Sequence, residues 1–321
     1  MQLQTNVDIL PFPFDITHHD KITFIGSCFA NNMGQKFTSN KFESLINPYG
    51  VLYNPASISQ CIDSILSDHF DETQMIEHEG IWHSFSHHGS FSNTDKKSCL
   101  EHINTQRLKA KQHLLQSDIL FLTFGSAHIF EYQGRVVSNC HKLPSKTFTR
   151  RRLSVQDIVN TIEGSLAALR QQNPKLKVIF TVSPVRYPKD GMSANSLSKA
   201  SLLLAIEELC QNEANHYFPA YEIVMDELRD YRFFTEDMIH PNNTAIDYIW
   251  EKLEKSCFNS STLQLCKQIA KITKAAQHRP LNTKPEAHLQ FLESMYQKAS
   301  DLQSKHREID LSAEIAYFQK K

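Results

Sequence analysis

A serine placed between an apolar stretch and a helical pattern is the first candidate for chemistry. Ser27 follows Gly26 and the β-branched or aromatic stretch 22–25. After it, apolar side chains recur every four residues, at Phe29, Met33 and Phe37. This pattern predicts a strand, a tight turn and a helix whose positive end favours developing negative charge. Ser27 is therefore suited to acyl transfer, unless Gly26 only permits the turn and Ser27 only caps the helix.

A carboxylate and an imidazole far along the chain could activate that serine. Asp237 and His240 lie three residues apart, directly before Pro241 and an apolar helical pattern. At this spacing the carboxylate can orient the imidazole and stabilise the imidazolium that forms when it accepts the serine proton. Ser27, His240 and Asp237 thus make a candidate catalytic triad. The alternative is that Asp237 caps a turn and His240 is a solvated loop residue.

The elements that must position these groups alternate between strand and helix. Strands are predicted at 22–25, 42–47, 118–124, 177–182 and 221–225, with helices between them. The apolar run 118–124 is typical of a strand that is buried on both faces of a parallel sheet. In open sheets of this kind, ligands bind beyond the carboxyl ends of the strands. The sequence therefore predicts an α/β fold with its chemistry at that edge.

Two residues that follow buried strands are expected at the same edge. Gly125 ends the strand 118–124, and Arg186 comes shortly after the strand 177–182. A guanidinium at this position could bind a substrate carboxylate or phosphate. The alternative for Arg186 is a structural ion pair with a loop carboxylate.

Residues 71–98 are predicted to form an irregular insertion that is rich in aromatic side chains. Long loops of this kind are often functional, so the segment is a candidate lid or substrate-facing element. His87 and His88 could suggest a metal site, but adjacent histidines point in different directions and no carboxylate cluster lies beside them in sequence. We therefore predict no metal and no cofactor, and we expect a solvated or hydrogen-bonded pair of histidines.

The composition narrows the partners and the compartment. The 321 residues carry a formal net charge of −1, which favours neither nucleic acid nor an anionic membrane surface. Seven cysteines, an odd number without a C-x-x-C pair, indicate free thiols in a reducing compartment. Residues 1–11 lack a signal-peptide pattern, and no apolar run has the length of a membrane span. The expectation is a cytoplasmic protein without a nucleic-acid or membrane partner.

A change of pattern after Phe258 predicts two parts. Residues 1–258 contain all the strand patterns, whereas residues 259–321 show helical patterns interrupted by Pro280 and Pro285. We expect the second part to be a C-terminal helical extension that folds back on the first domain or forms a homo-oligomer with a second subunit.

The residues around Ser27 also carry a resemblance to a known family. They read GSCFA from Gly26 to Ala30, the signature of the GSCFA family, which looks related to the SGNH (GDSL-like) hydrolase superfamily. In that superfamily the nucleophilic serine follows the first strand, and a later D-x-x-H block supplies the aspartate and the histidine. Ser27 matches the first position, and Asp237 with His240 matches the second. Further matches lie at 47–50, 123–125, 139–144, 181–186 and 230–234, so the resemblance covers roughly residues 3 to 258.

The resemblance implies both a fold and an oxyanion site. The fold is a flavodoxin-like three-layer α/β/α sandwich around a five-stranded parallel sheet of order 2-1-3-4-5. Gly50 matches the superfamily's backbone donor to the oxyanion. The third block of the superfamily usually supplies an asparagine as well, but 125–128 reads Gly-Ser-Ala-His. Asn139 or His128 could replace that donor, whose loss typically costs about 100-fold to 1000-fold in rate.

These observations lead us to expect a serine esterase or acyl hydrolase that acts on a small acyl ester. Acetylated carbohydrates are among the substrates that the resemblance implies. His141 is a rival to His240 as the base. One alternative is a catalytically weak or inactive binding or scaffold protein, because the third-block asparagine is missing. Another is a cysteine enzyme using Cys28, although this side chain is better explained as packing under the sheet.

Overall fold

The computed structural model describes residues 4–277 and 285–319. The strands are β1 (Ile22–Gly26), β2 (Ser44–Ile46), β3 (Met75–His78), β4 (Ile81–Ser84), β5 (Ile119–Phe124), β6 (His128–Tyr132), β7 (Arg135–Val137), β8 (Thr149–Arg152), β9 (Lys177–Val182) and β10 (Asn215–Tyr217). The helices are α1 (Cys28–Ser39), α2 (Pro55–Leu66), α3 (Lys96–Gln116), α4 (Val155–Gln172), α5 (Met192–Leu209), α6 (Ala220–Glu222), α7 (Asn243–Cys257), α8 (Ser260–Gln277), α9 (Pro285–Lys305) and α10 (Ser312–Gln319).

The central sheet has five parallel strands in the order β2-β1-β5-β9-β10. Counted along the chain, this is the 2-1-3-4-5 order that the resemblance implied. Gly26 pairs with Thr123 and Phe124 pairs with Val182, so the carboxyl ends of β1, β5 and β9 meet at one edge. Both β1 and β5 are buried along their whole length, as their apolar sequences predict.

Helices cover both faces of this sheet. One apolar cluster joins the sheet to α2, α4 and α5, through side chains such as Ile62, Leu166 and Leu202. A second cluster joins the other face to α1 and α7, through Phe37 and Ile249. The predicted three-layer α/β/α sandwich is therefore confirmed.

The fifth strand is not where the sequence predicted it. Residues 221–225 are helical, because α6 continues into a π-helical turn at Ile223–Glu227 whose Ile223 and Val224 are buried in the second apolar cluster. The strand is instead the polar segment β10, which pairs with β9 alone at the edge of the sheet. The side chains of 221–225 favour a strand by intrinsic propensity, but tertiary burial on a helical surface overrides that preference.

Side-chain caps fix the starts of two helices. Asn54 Oδ1 accepts a hydrogen bond from Ser57 N at 2.8 Å at the start of α2, and Pro55 occupies the first helical position. Ser154 and Asp157 form a capping box at the start of α4, where each side chain accepts from the other residue's backbone N–H.

Residues 71–98 are more regular than predicted. They contain the antiparallel hairpin of β3 and β4, followed by a 3-10 helix at Gly89–Phe91. His87 is fully buried, with its Nδ1 2.8 Å from Ser84 Oγ and its ring 4.0 Å from that of Tyr49. The strands are only four residues long, which is too short for a clear alternation of polar and apolar residues. A role of this segment as a lid stays a prediction.

A second small sheet follows β5. β6 and β7 form an antiparallel hairpin, and β8 pairs with the other side of β6. The arginines of β8 are thereby placed beside His128, which pairs in register with Arg152.

The C-terminal helices form their own apolar cluster and also contact the first part of the chain. Leu265, Ile269 and Leu311 belong to the cluster shared by α8, α9 and α10. On the opposite side of α8, Cys266 packs in the cluster beneath α1 and α7. Lys41 pairs with Glu314 at 2.8 Å. Within the described residues the extension thus folds back on the first domain, whereas Pro280 lies outside them.

The division of the chain between residues 258 and 259 and the formation of a homo-oligomer stay predictions. Among the helices of the described ranges, none is long and apolar enough to cross a membrane.

Candidate active site

Ser27 lies at the junction of β1 and α1, at the carboxyl edge of the sheet. Its backbone N–H donates to Thr123 O at 3.2 Å, and the residue is only 1% exposed. Its side-chain oxygen accepts a hydrogen bond from Phe29 N at 3.3 Å, which makes Ser27 the N-cap of α1. The capping role is therefore present, whether or not the same hydroxyl also reacts.

The turn before Ser27 is held by close backbone contacts. Gly26 has a φ of 150°, and a Cβ at this position would overlap the carbonyl oxygen of Thr123. Asn47 accepts a hydrogen bond from Gly26 N at 2.8 Å and donates one to Asn31 Oδ1 at 2.6 Å. Only glycine fits position 26, and Asn47 fixes where the turn lies. The sequence analysis noted Asn47 only as part of a matching segment.

His240 and Asp237 form a hydrogen-bonded pair. His240 Nδ1 lies 2.7 Å from Asp237 Oδ2. Because an ionised carboxylate can only accept, Nδ1 carries the hydrogen and Nε2 is left as the proton acceptor. The other carboxylate oxygen accepts from the His240 and Ile239 amides and from Thr235 Oγ1. These bonds, foremost that from the His240 amide, hold the pKa of Asp237 well below its usual range.

The pair is not joined to Ser27 by a hydrogen bond. Within the described residues, the Ser27 hydroxyl is bonded to Phe29 N and His240 to Asp237. The side chains of His240 and Asp237 are 48% and 45% exposed, whereas Ser27 is buried. The charge of Asp237 nevertheless contributes, after burial, to the raised pKa of the thiol of Cys28, the residue after Ser27.

The backbone donor predicted for an oxyanion is engaged elsewhere. Gly50 N donates to Asn47 O at 2.8 Å, so this amide already has a partner in the structure, and its role as the oxyanion donor stays a prediction. Gly125 N likewise donates to Tyr53 O at 2.8 Å. Gly125 does border the nucleophile, because a Cβ built on it would lie 3.4 Å from the Ser27 Cβ.

The polar side chains expected to replace the missing asparagine also have other partners. Asn139 Oδ1 accepts from His141 N at 3.0 Å, which is the geometry of a turn former. His128 Nδ1 lies 3.5 Å from Ser126 Oγ. The rival base His141 donates through Nε2 to Ser84 O at 2.7 Å. In the described part of the chain, none of the three side chains hydrogen-bonds Ser27 or His240.

Cys28 is half-buried at the site rather than packed under the sheet, which corrects the expectation for this residue. Burial raises the pKa of its thiol, although the first-turn amides and the Lys199 ammonium act in the opposite direction. A thiol that stays protonated at neutral pH is a poor nucleophile, which argues against a cysteine enzyme. The Cys28 amide belongs to the first turn of α1, where N–H groups have no intrahelical acceptor.

Lys199 is a site residue that the sequence analysis missed. Its ammonium donates to Gly125 O at 2.7 Å and to Ser183 O at 2.6 Å, the carbonyls just beyond β5 and β9. Lys199 is 1% exposed, and burial lowers its pKa to about 7. No pattern marks this residue in the sequence, because it reaches the site from the middle of α5 and its role depends on tertiary contacts.

Arg186 lies beyond β9 without the ion pair considered for it. Nη2 donates to Ser196 Oγ at 3.0 Å, and Nε is buried with no hydrogen-bond partner. No carboxylate within the described ranges pairs with this guanidinium. The structural ion pair is therefore absent from that part of the chain.

The described side chains meet the requirements of neither a metal site nor a disulfide. They contain no group of three or more His, Cys, Asp or Glu residues placed to hold a metal ion. All seven cysteines are free thiols. The predicted absence of a cofactor stays a prediction.

The fold and the site define an α/β protein with a candidate hydrolase centre at the carboxyl edge of its sheet. The chain belongs to the GSCFA family, whose family model matches residues 21–253. A second model, described as the C-terminal domain of GSCFA domain proteins, matches residues 269–321. No curated protein matches the chain.

Two solved structures are similar to the chain at low identity. A carbohydrate esterase family 3 protein from Talaromyces cellulolyticus has 13% identity and a TM-score of 0.28, over 49% of this chain and 66% of that protein. An acetyl xylan esterase from the rumen bacterium Butyrivibrio proteoclasticus has 12% identity and a TM-score of 0.36, over 78% of this chain and 64% of that protein. The chain spans less than two thirds of the length of either, and such similarity is too weak to assign a function.

Proposed function

We propose that the protein is a serine ester hydrolase in which Ser27 is the nucleophile, His240 the base and Asp237 the group that orients His240. Ser27 Oγ attacks the acyl carbonyl while His240 Nε2 accepts its proton, and the imidazolium then protonates the leaving alcohol. Water activated by the same base releases the acyl group. The expected substrate is a small acyl ester, with esters of carbohydrates included.

The observation that carries this proposal is the hydrogen bond between His240 and Asp237. One oxygen of Asp237 closes the turn, and the other fixes the tautomer of His240 at a distance of 2.7 Å. The low pKa of Asp237 keeps the carboxylate charged, so it can stabilise an imidazolium. If Asp237 only stabilised the turn, the hydrogen bonds to its first oxygen would be enough, and the bond between its second oxygen and His240 Nδ1 would have no role.

The reaction requires the Ser27 hydroxyl to leave its capping position. Rotation of the side chain toward His240 breaks the bond from Phe29 N. Loss of an N-cap costs about 0.5–2 kcal/mol, which is small beside the roughly 8–23 kcal/mol by which enzymes lower barriers. The Cys28 amide and the positive end of α1 are then the proposed oxyanion stabilisers.

Aromatic side chains beside the site suit a carbohydrate ester. Tyr53 and Tyr187 are 52% and 50% exposed, and Tyr53 lies near both Tyr187 and Cys28. A tyrosine ring can cover an apolar face while its hydroxyl stays available for hydrogen bonds. These two rings are therefore proposed to contact the alcohol part of the substrate.

The test is turnover of 4-nitrophenyl acetate by the wild type and by Ser27→Ala, His240→Ala and Cys28→Ala. We expect the Ser27 and His240 variants to lose roughly 1000-fold or more in kcat, and Cys28→Ala to retain activity. Loss of activity in Cys28→Ala alone would favour the cysteine enzyme instead.

Two control variants separate chemistry from folding. Ser154→Ala removes the N-cap of α4, so it matches the cap that Ser27→Ala removes. His306→Ala removes a histidine that is paired with Glu308 at 3.0 Å, far along the chain in the extension. Both controls should keep their turnover. A wild type that is no faster than Ser27→Ala would contradict the proposal.

A binding or scaffold protein is the second candidate. Its support is the burial of Ser27 together with the engaged amides of Gly50 and Gly125. If the wild type shows neither turnover nor labelling by a fluorophosphonate, this candidate takes the place of the hydrolase.

A further inference from the structure

Two basic side chains at the carboxyl edge of the sheet, Lys199 and Arg186, have no carboxylate partner in the described part of the chain. Lys199 is bonded only to carbonyls of Gly125 and Ser183, and Arg186 only to Ser196 Oγ, within the described residues. Burial, with a smaller contribution from the charge of Arg186, lowers the pKa of Lys199 to about 7, so this lysine is only partly charged at neutral pH. The guanidinium of Arg186 has no carboxylate partner in the described residues, which favours an anion beside it.

The positive charge continues on the small sheet next to the site. Arg150 and Arg152 on β8 flank His128, and both lower its pKa in addition to burial. Arg150 pairs with Asp190. Arg152 is exposed and forms no ion pair within the described ranges. The rim of the site that runs from β8 to Arg186 is therefore basic, although the chain as a whole has a net charge of only −1.

Two carboxylates of this part of the chain already have partners. Asp190 pairs with Arg150, and Asp237 accepts four hydrogen bonds from its own loop and His240. Neither of these carboxylates forms an ion pair with Arg186, and no other carboxylate within the described ranges does so. The charge of Arg186 is therefore available to a bound anion.

The guanidinium of Arg186 is oriented by one hydrogen bond and, within the described residues, has a free donor for an anion. Ser196 Oγ fixes one nitrogen, and the buried Nε has no acceptor. A buried donor without an acceptor is unfavourable, so an anion that supplies one gains affinity. Arginine presents parallel N–H groups that match the two oxygens of a carboxylate or phosphate.

We propose that the substrate is an anionic ester, whose carboxylate or phosphate group binds Arg186 while Ser27 attacks the ester carbonyl. This inference rests on the proposed ester hydrolysis and adds the charge of the substrate to it. It also predicts that the preference for the anionic ester weakens at high ionic strength, because the rim is partly exposed.

The test compares pairs of esters that differ in one charged group. 4-Acetoxybenzoate is compared with 4-methylphenyl acetate, which places the charge in the alcohol part. 4-Nitrophenyl hemisuccinate is compared with 4-nitrophenyl butyrate, which places it in the acyl part. 4-Acetoxyphenyl phosphate distinguishes a phosphate from a carboxylate. We expect kcat/KM to be about 10-fold to 100-fold higher for the anionic member of at least one pair.

Variants of Arg186 show whether that preference comes from this side chain. Arg186→Met should abolish the preference, because the KM of the anionic ester rises to that of its neutral partner. Arg186→Lys should retain only part of the preference for the anionic ester, because lysine keeps the positive charge but lacks the two parallel N–H groups of the guanidinium. Arg307→Met, an exposed arginine between α9 and α10, should leave the preference unchanged.

Binding to the Ser27→Ala variant separates this inference from the proposed function. The amide analogue 4-acetamidobenzoate should bind more tightly than 4-methylacetanilide, and this difference should vanish in Ser27→Ala/Arg186→Met. If 4-acetamidobenzoate binds more tightly but the wild type turns over no ester, the proposed hydrolase is contradicted and the anion site is supported. Turnover of neutral and anionic esters at equal rates, with equal binding of the two amides, would overturn the anion site alone.

Discussion

Lys199 is the residue whose chemistry the fold constrains most strongly. A buried ammonium is normally paired with a carboxylate, but this one is stabilised by two backbone carbonyls, of Gly125 and Ser183. The same bonds tie the ends of β5 and β9 together beside Ser27. Lys199 is therefore a positioning residue, and its charge state should affect both the stability of the protein and the shape of the site.

The free energy of unfolding should depend on pH through Lys199. Its pKa falls from 10.5 to about 7 on folding, because burial disfavours the charged form. Between these values the unfolded chain binds a proton that the folded chain does not, so stability rises with pH. Relative to Lys199→Met, the wild type should gain up to about 1.4 kcal/mol per pH unit above pH 7.

Urea unfolding of both proteins between pH 6 and 9 measures this difference. The exposed Lys298→Met, on α9, serves as the control and should follow the wild type. Parallel pH profiles for the wild type and Lys199→Met would mean that the lysine does not lose its proton in this range.

At this scale, the sequence predicts local pairs better than distant contacts. Asp237 and His240 were found because three residues of one loop fix their geometry, and the structure bonds them. Lys199 and Asn47 were not identified as site residues, because their partners lie at other elements of the chain. The partner of the Gly50 amide was not predicted for the same reason, since its bond to Asn47 follows from a left-handed turn that no motif reveals.

At the scale of elements, the turn from β1 into α1 depends on the absence of a side chain. Gly26→Ala should destabilise the protein by about 3 kcal/mol or more, because a methyl group would meet the Thr123 carbonyl and the central strands cannot separate. Gly134→Ala is the matched control. It also has a positive φ, but open space surrounds its Cβ position, so only about 1–2 kcal/mol of backbone strain is expected. Equal losses in the two variants, measured by urea unfolding, would contradict this account of the turn.

The segment 71–98 should respond to acid through one buried histidine. His87 packs among Tyr49, Phe70 and Phe91, and burial lowers its pKa to about 3. Between the ordinary pKa of 6.5 and the folded value of about 3, His87 binds a proton in the unfolded chain but not in the folded chain. This contribution to stability is therefore present above pH 6.5 and is lost as the pH falls toward 3.

Replacement of His87 by glutamine should flatten this part of the pH profile. Between pH 6.5 and 4, the wild type should lose up to about 1.4 kcal/mol per pH unit relative to His87→Gln. The exposed His69→Gln should behave as the wild type does. Thermal unfolding followed by circular dichroism at several pH values provides the measurement, and a profile of His87→Gln that matches the wild type would count against His87 as the acid-sensitive group.

Element positions were predictable where one signal dominates. The buried strands β5 and β9 lie where the apolar runs 118–124 and 177–182 indicated. The prediction failed at 221–225, where strand-forming side chains are buried by a helix, and at 71–98, where strands of four residues show little alternation.

On the scale of the whole molecule, α8 belongs to two apolar clusters at once. Cys266 packs beneath α1 and α7, whereas Leu265 and Ile269 pack against α9 and α10. Because α8 contributes side chains to both clusters, loss of packing in one cluster should destabilise the other. The described parts of the chain should therefore unfold in one cooperative transition, even though two family models divide the sequence.

The variant Ile269→Ala tests this coupling from the side of the extension. The side chain is fully buried, so its truncation should cost about 2–5 kcal/mol. Trp250 packs in the same apolar cluster as Cys266 of α8, so the experiment is done in a Trp250→Phe background. The remaining Trp82 packs against Phe91 and Cys99, and its fluorescence therefore reports the part of the chain before residue 258. In a coupled molecule, the midpoints of fluorescence and of helical circular dichroism shift together. In an uncoupled one, helical signal is lost first while the fluorescence midpoint stays at the value of the exposed control Lys271→Ala, and the extension is then an independent unit.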